Sequence, residues 1–419
     1  MEFSRFANRL GDDAGIISLM EDLGAAMGTD QTMAMLGGGN PSHIPEMENY
    51  FREQMLEIAS DSKRFGAMVG DYDGPQGNDA FISILAEFFQ ELYGWPISKK
   101  NIAITNGSQA SFGLLFNTLA GETKNGDFKQ VLLPLTPEYI GYADVGLSDQ
   151  PLFTARKPII EDIDDLFFKY HVDFKQLDLN EQIGTVCVSR PTNPTGNVIS
   201  DEELLHLSEL TKATDTPFII DSAYGVPFPN MIFTEATPLW DEHIILCFSL
   251  SKLGLPGVRT GIVVADESVI SRIRNANAIF NLAPGSVGPA LISQSIQSRK
   301  IIDLCQNTLK PYYESRRDQA IAQVKQHMPD IPVRIHQPEG AIFLWLWFEG
   351  LPISVQMLYQ RLKARNVLII AGHHFFPGLE GEWKHKHECI RITYSSDHES
   401  VEHGIKAIGE EVRRAFSES

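Results

Sequence analysis

The chain has 419 residues, 43% hydrophobic and 21% charged, with no low-complexity tract; that is enough for one large α/β domain and a smaller one, and it excludes a disordered or fibrous protein. Its formal charge of −19 has the wrong sign for a phosphate backbone, and no run of Lys and Arg offsets it, which excludes nucleic acid as a partner. No window approaches a membrane span, the start (Met1, Glu2, Phe3, Ser4, Arg5) lacks a signal-peptide layout, and Cys187, Cys247, Cys305 and Cys389 are widely scattered, so a cytoplasmic protein without disulfides is expected.

From about residue 100 to 265, short apolar runs alternate with amphipathic segments, the mark of a mostly parallel sheet covered by helices. The predicted strands are Asn101–Thr105, Val131–Pro134, Ile183–Ser189, Pro217–Asp221, Ile244–Ser249 and Gly261–Ala265. Ser108–Leu119 reads as a helix, and Ser200-Asp201-Glu202-Glu203 opens the helix Leu204–Lys212 with a capping box. From about Pro289 to Gln326, a long stretch with one polar face predicts helices joining two domains. Beyond it, strand Ala341–Trp347, helix Val355–Arg365, strands Val367–Ile370 and Cys389–Thr393 and helix Glu399–Phe416 make a compact α+β domain. The expected division is an N-terminal segment 1–45 packing with the small domain, a large domain 46–290, and a linking helix with the C-terminal small domain 291–419.

His373-His374 and His385-Lys386-His387 do not set two ligands on one helical face, so they read as polar loop residues and no metal is expected. Lys252 lies in Ser249-Leu250-Ser251-Lys252-Leu253-Gly254-Leu255-Pro256-Gly257-Val258-Arg259, directly after the apolar run Ile244–Phe248. That puts its amine at a strand's C-terminal end, where open α/β sheets bind ligands. Ser249, Ser251 and Arg259 around it supply hydroxyls and a fixed cation suited to a phosphate, company that a solvated surface lysine does not need.

Asp221 ends the strand Pro217–Asp221, and a carboxylate there is costly unless it meets a cation or caps a helix. Tyr224, three residues on, carries a phenol able to donate to a ring oxygen. Asn193 sits in Arg190-Pro191-Thr192-Asn193-Pro194-Thr195-Gly196, a stiff loop that either aims one amide at a ligand or simply turns the chain. Gly107, Ser108 and Gln109, in Thr105-Asn106-Gly107-Ser108-Gln109-Ala110, join a strand to a helix whose first N–H groups favour an anion. Tyr139, in Thr136-Pro137-Glu138-Tyr139, offers a ring to stack on a flat ligand or to fill the core. Arg391, inside the apolar strand Cys389–Thr393, must be paired, either with a substrate carboxylate or with an internal acid, for which Glu339 is the candidate.

An amine, an acid, ring-oxygen donors, a flat face and a phosphate cradle are what a pyridoxal-phosphate site must supply. The set resembles the fold-type I pyridoxal-phosphate aminotransferases over nearly the whole chain, carried in order by Asn193-Pro194-Thr195-Gly196, Asp221 with Tyr224, Ser249-Leu250-Ser251-Lys252, Pro256-Gly257-Val258-Arg259 and Arg391. The resemblance implies pyridoxal 5'-phosphate as cofactor, with Lys252 bonded to it as the catalytic lysine. It also implies a large domain with a mostly parallel seven-stranded sheet, a smaller α+β domain, and amino and 2-oxo acids as substrates. By similarity, Tyr72 in Tyr72-Asp73-Gly74-Pro75-Gln76-Gly77 reaches the phosphate of a neighbouring subunit, which implies a homodimer. Gly38 and Gly39, in Leu36-Gly37-Gly38-Gly39-Asn40-Pro41, resemble the glycine stretch that lies against the substrate carboxylate, beside Asn193 and Arg391.

More narrowly, Pro137-Glu138-Tyr139-Ile140-Gly141-Tyr142-Ala143-Asp144 and Glu339-Gly340-Ala341-Ile342-Phe343-Leu344-Trp345-Leu346-Trp347 resemble the bacterial valine–pyruvate aminotransferases, a family that exchanges amino groups between valine or alanine and the corresponding 2-oxo acids. Glu339-Gly340-Ala341 departs from the paired glycines of the wider superfamily. A C–S β-lyase, or an aminotransferase of aromatic or 2-aminoadipate type, is the alternative on the same scaffold. Ile16, Ile17 and Phe343 are candidates either for the side-chain pocket or for the core.

Overall fold

The apolar runs between residues 102 and 264 form one large sheet in a computed structural model, which describes residues 33–418 together with Glu2, Ser4, Ala7 and Ile17. Its spatial order is Ile102–Thr105, Gly261–Val264, Ile244–Ser249, Phe218–Asp221, Ile183–Ser189 and Phe128–Leu133, with Phe153–Ala155 and Gly121–Glu122 both pairing with the last. Pairing is parallel from Ile244–Ser249 through to Phe153–Ala155, whereas Gly261–Val264 runs antiparallel to both neighbours. The expected count of seven strands becomes eight. Gly121–Glu122 folds back on Phe128–Leu133 as a two-residue antiparallel partner, too short to leave a periodic trace in sequence.

Helices on both faces explain why the central strands carry no polar alternation. Every residue of Ile183–Ser189 and of Ile244–Ser249 is buried, so each strand reads as a continuous apolar run. Helix Ser108–Leu119 buries Phe112, Leu115 and Phe116, each contributing about 1.5–3 kcal/mol of apolar transfer. Helix Asp201–Ala213 starts on the expected box: the Ser200 hydroxyl accepts from the Glu203 amide, and the Glu203 carboxylate accepts from the Ser200 amide.

A second sheet runs Ile370–Ala371, Cys389–Thr393, Phe343–Phe348, Val333–His336, Phe167–His171 and Ile159–Asp162. Its last two strands fall inside the span 46–290 expected for the large domain, yet they extend the second sheet, because Phe167 and Phe168 pair in parallel with Ile335 and His336. The predicted strand Val367–Ile370 is split: Val367–Leu368 pairs with Ala34–Met35, and Ile370–Ala371 joins the second sheet. Most of the N-terminal segment, Ile16 included, lies outside the described residues. Helices Val287–Gln297, Lys300–Leu304 and Lys310–His327, with a π-helical turn at Cys305–Leu309, occupy the region read as connecting helices. Among the described residues no helix is long and apolar enough to cross a membrane.

Candidate active site

A cavity of about 1000 Å³ opens where the carboxyl ends of the large sheet face the second sheet, the position at which open α/β sheets bind ligands. Strand Ile244–Ser249 delivers Ser249 to its edge, and the turn Ser251–Leu253 that follows presents Lys252. The Lys252 ammonium donates to the Gly39 carbonyl at 2.6 Å and lies 5.2 Å from the centre of the Tyr224 ring. Burial, with help from the nearby Arg391 and Arg259 cations, pushes this amine down to about 8. Tyr224 is itself buried and sits edge-on to Phe343 at 6.0 Å.

Asp221 ends its strand as expected and is buried, but its principal partner was not legible from sequence. Tyr142 donates its hydroxyl to Asp221 Oδ2 at 2.6 Å, and the Ala223 amide donates to Oδ1 at 2.9 Å. Burial raises the carboxyl to about 6 against these donors and Lys252. Behind Tyr142, Glu138 is buried and accepts from the Ser189 amide at 2.8 Å and shares a hydrogen bond with the Ser189 hydroxyl at 2.6 Å. Tyr142, Ser189 and Glu138 are contributors that sequence reasoning missed: residues 79 and 83 positions from Asp221 carry no local signal of their meeting.

Strand Cys389–Thr393 brings Arg391 to the cavity from the other side. Its Nη1 donates to Asn193 Oδ1 and its Nη2 to the Gly37 carbonyl, both at 2.7 Å, while Nε has no partner among the described residues. The guanidinium lies 4.2 Å from the centre of the Phe343 ring and 5.2 Å from that of Phe375. Among the described residues no carboxylate pairs with it. Glu339, the internal acid suggested by sequence, instead meets Lys169 at 2.6 Å and accepts from the Val198 amide, because the connection that carries it lies against the 191–198 loop, where its amide donates to the Gly196 carbonyl. Phe343 is therefore fully buried beneath the arginine, and Asn193 is held by it.

The expected anion cradle lies at the start of helix Ser108–Leu119. Gly107 adopts φ +95°, and a Cβ there would collide with the Arg259 guanidinium, so glycine is required where the cation crosses the helix start. Arg259 takes a left-handed backbone to reach it, at φ +47°. Ser108, Ser249 and Ser251 line the same wall. Gln109 donates to the Gly141 carbonyl at 2.7 Å and leaves its own amide oxygen buried without a partner among the described residues. Tyr139 faces the cavity and packs edge-on against Tyr142 at 5.4 Å. Gly38 and Gly39 form the wall opposite. Tyr72 stands apart: it is 85% exposed and is not part of this cavity in a single chain.

The histidine pairs are a partial correction. His373 and His387 stack at 5.5 Å, but His385 is buried and hydrogen-bonded to Tyr170 at 2.5 Å, so it is a core residue rather than loop decoration. Among the described residues no cluster of His, Cys, Asp or Glu could hold a metal ion.

The chain matches the family model for aminotransferase class I and II over residues 52–408. The chain belongs to the class I and II aminotransferases. It is 50% identical, over the full length of both chains, to the valine–pyruvate aminotransferase of Escherichia coli strain K12. Among solved structures it resembles a putative amino-acid aminotransferase of Psychrobacter arcticum (TM-score 0.97, 45% identity, all of both chains covered). It also resembles the valine–pyruvate aminotransferase of Salmonella typhimurium (TM-score 0.89, 48% identity, 97% of this chain and 100% of the other covered).

Aminotransferases of this class depend on pyridoxal 5'-phosphate, and the cavity of this one fits that group. A glycine whose Cβ would fill the anion cradle, a buried carboxylate with no arginine or lysine in ion-pair contact among the described residues, and an amine in the same space match its phosphate, ring nitrogen and aldehyde.

Proposed function

We propose that this aminotransferase exchanges an amino group between valine or alanine and pyruvate or 2-oxoisovalerate. Arg391 is the observation that carries the reading: a buried guanidinium held, among the described residues, only by neutral oxygens, in one cavity with Lys252 and Asp221. A desolvated cation in that state is completed by a carboxylate, and its planar fork takes an α-carboxylate at two points. The choice of valine is supported by the full-length identity of 50% with the E. coli enzyme.

When bound, pyridoxal phosphate supplies an aldehyde carbon that takes up an amino group and a protonated ring that draws electrons from the substrate's α-carbon. Lys252 is assigned the bond to the cofactor and the movement of the α-proton; an amine at about 8 has a useful neutral fraction near pH 7. Asp221 is assigned to the ring nitrogen, Asn193 and Tyr224 to the ring oxygen, and Tyr139 to the ring face. Gly107, Ser108, Gln109, Ser249, Ser251 and Arg259 are assigned to the phosphate. Arg391 and Asn193 grip the substrate carboxylate, with Gly38 and Gly39 beside it.

A homodimer with shared sites, in the cytoplasm, completes the proposal. It is supported by a stretch of surface where Tyr72 lies beside Asp73 and Pro75, which bond to Ser286 and Asn277, next to Ile279, Phe280 and Leu282 at 77%, 71% and 64% exposure. Apolar side chains this open in one patch call for cover, and Tyr72 is placed to serve a second copy. The four described cysteines are free and buried, which suits a reducing compartment.

Donor assays with pyruvate test the substrate assignment: valine and alanine are expected to be the best donors, and a preference for aromatic or dicarboxylic donors would overturn it. Incubating holoenzyme with alanine should accumulate pyridoxamine phosphate, the mark of transfer, whereas release of pyruvate, ammonia and methanethiol from S-methylcysteine, whose β-thiolate can leave, would mark β-elimination instead. Light scattering with Y72F and F280D tests the dimer.

A further inference from the structure

Behind the expected cofactor site lies a second buried carboxyl group with no role in the reaction as described. Glu138 is 1% exposed, and its chain neighbour Tyr139 faces the cavity. Its side chain meets the Ser189 amide at 2.8 Å, the Ser189 hydroxyl at 2.6 Å and the Tyr139 amide at 3.3 Å. The Ser189 hydroxyl lies 3.4 Å from the Tyr142 hydroxyl, which reaches Asp221 Oδ2 at 2.6 Å. Four polar side chains thus run in one line from Glu138 to the carboxylate expected to face the cofactor's ring nitrogen.

Two carboxylates in one dry compartment do not both ionise without a cation between them. Among the described residues, the groups that bear on Glu138 are Asp221, Cys187 and Tyr142, all buried and none cationic. On the adjoining segment, whose Phe375 carbonyl accepts from the Glu138 amide, His373 and His374 are held below their usual range, first of all by burial. Burial pushes Glu138 up to about 8 against the Ser189 donors, and Asp221 up to about 6 against Tyr142 and Lys252. A proton shared between the two therefore resides on Glu138, and Asp221, closer to the cations, keeps the charge.

We propose that Glu138 is a positioning residue that stays protonated and donates to the Ser189 hydroxyl, so that Ser189 and Tyr142 orient and support Asp221 as the lone anion facing the ring nitrogen. The proton on Glu138 turns the line in one direction: Glu138 to Ser189, Ser189 to Tyr142, Tyr142 to Asp221. Each donor polarises the next, which strengthens the bond that Tyr142 makes to Asp221. This rests on the pyridoxal-phosphate assignment of Asp221 above.

The test uses holoenzyme and two spectroscopic readouts. Infrared difference spectra near neutral pH should show the carbonyl stretch of a neutral carboxylic acid in wild type and lose it in E138Q. The pH midpoint of the bound cofactor's visible absorbance should stay within about twofold in proton affinity for E138Q, which keeps both hydrogen bonds to Ser189 without a charge. In E138L, where the line is broken, it should move to lower pH by about tenfold in proton affinity. S189A, which removes only the linking hydroxyl, should move it in the same direction by less, and serves if E138L does not fold. The proposal is overturned if the acid band survives in E138Q, if E138Q moves as far as E138L, or if neither E138L nor S189A moves at all. A wild-type protein that stays colourless with pyridoxal phosphate would instead overturn the cofactor assignment, and this proposal with it.

Discussion

Two buried arginines, one just past the end of a large-sheet strand and one within the second sheet, are treated in opposite ways. Arg190, at the end of the large-sheet strand Ile183–Ser189, donates to the Ile199 and Thr237 carbonyls at 2.8 Å and forms an ion pair with Asp201. All three of its nitrogens are satisfied within the fold, and the segment 190–201 is stapled by it. Arg391, in the second sheet, is as deeply buried but among the described residues finds only neutral oxygens and leaves Nε without a partner, and it is pushed down to about 10, mainly by burial. A charge completed by an internal acid serves the structure, whereas one left short of an anion is completed by a ligand.

The sharpest way to break the functional half of this contrast is Lys252→Ala. Turnover should fall by at least on the order of 10⁴-fold, since both the cofactor bond and the proton carrier are removed, and borohydride should no longer fix cofactor to the protein. Retained turnover would end the assignment. Next comes the pair Arg391→Met and Arg190→Met. The first should weaken substrate binding by about 2–5 kcal/mol, read in KM for valine, while changing unfolding free energy by at most about 1 kcal/mol, because water in the cavity reaches the freed oxygens. The second should cost about 3 kcal/mol of stability in urea titration, at the lower end for a broken pair because Asp201 is half-exposed. Equal stability losses in the two would erase the contrast.

Gly107→Ala should be milder. The left-handed backbone and the collision with Arg259 together cost about 1–3 kcal/mol, visible as weaker cofactor retention with substrate KM unchanged in the loaded enzyme. The smallest effect concerns pH. Burial raises Glu203, but His171 and the Val172 and Ser200 amides outweigh it and hold it at about 2, below its usual 4.5. A depressed carboxyl contributes stability that is full above the unfolded value and is lost as pH falls from about 4.5 to 2. Glu203→Gln should flatten acid unfolding in that window and, because this carboxylate is the first cause that raises His171, should also reduce the stability lost as pH rises through that imidazole's range.

Much of the site was legible because its parts sit at strand ends with local company. Lys252 among serines, Asp221 closing an apolar run and Gly107 opening a helix each carry a signal within a few residues. Arg391 was legible as a charge in an apolar strand, but its partner was not: Glu339 is an acid at a plausible distance along the chain, and only the packing of the 191–198 loop sends it to Lys169. Glu138 and Tyr142 read as part of a family-like string, with nothing to show that one backs Asp221 and the other backs Ser189. The strands Phe167–His171 and Ile159–Asp162 escaped notice because their sheet is decided by pairing with Ile335 and His336, more than 160 positions away.

By itself the sequence determined most of the order of strands and helices, the place of Lys252 after its strand and of Gly107 before its helix, because periodicity, caps and breakers act over a few residues along the chain. Which buried charges meet, which are left short of a partner and which sheet claims a hairpin were decided only in three dimensions, since desolvation and hydrogen bonding depend on neighbours that folding brings together from distant parts of the chain.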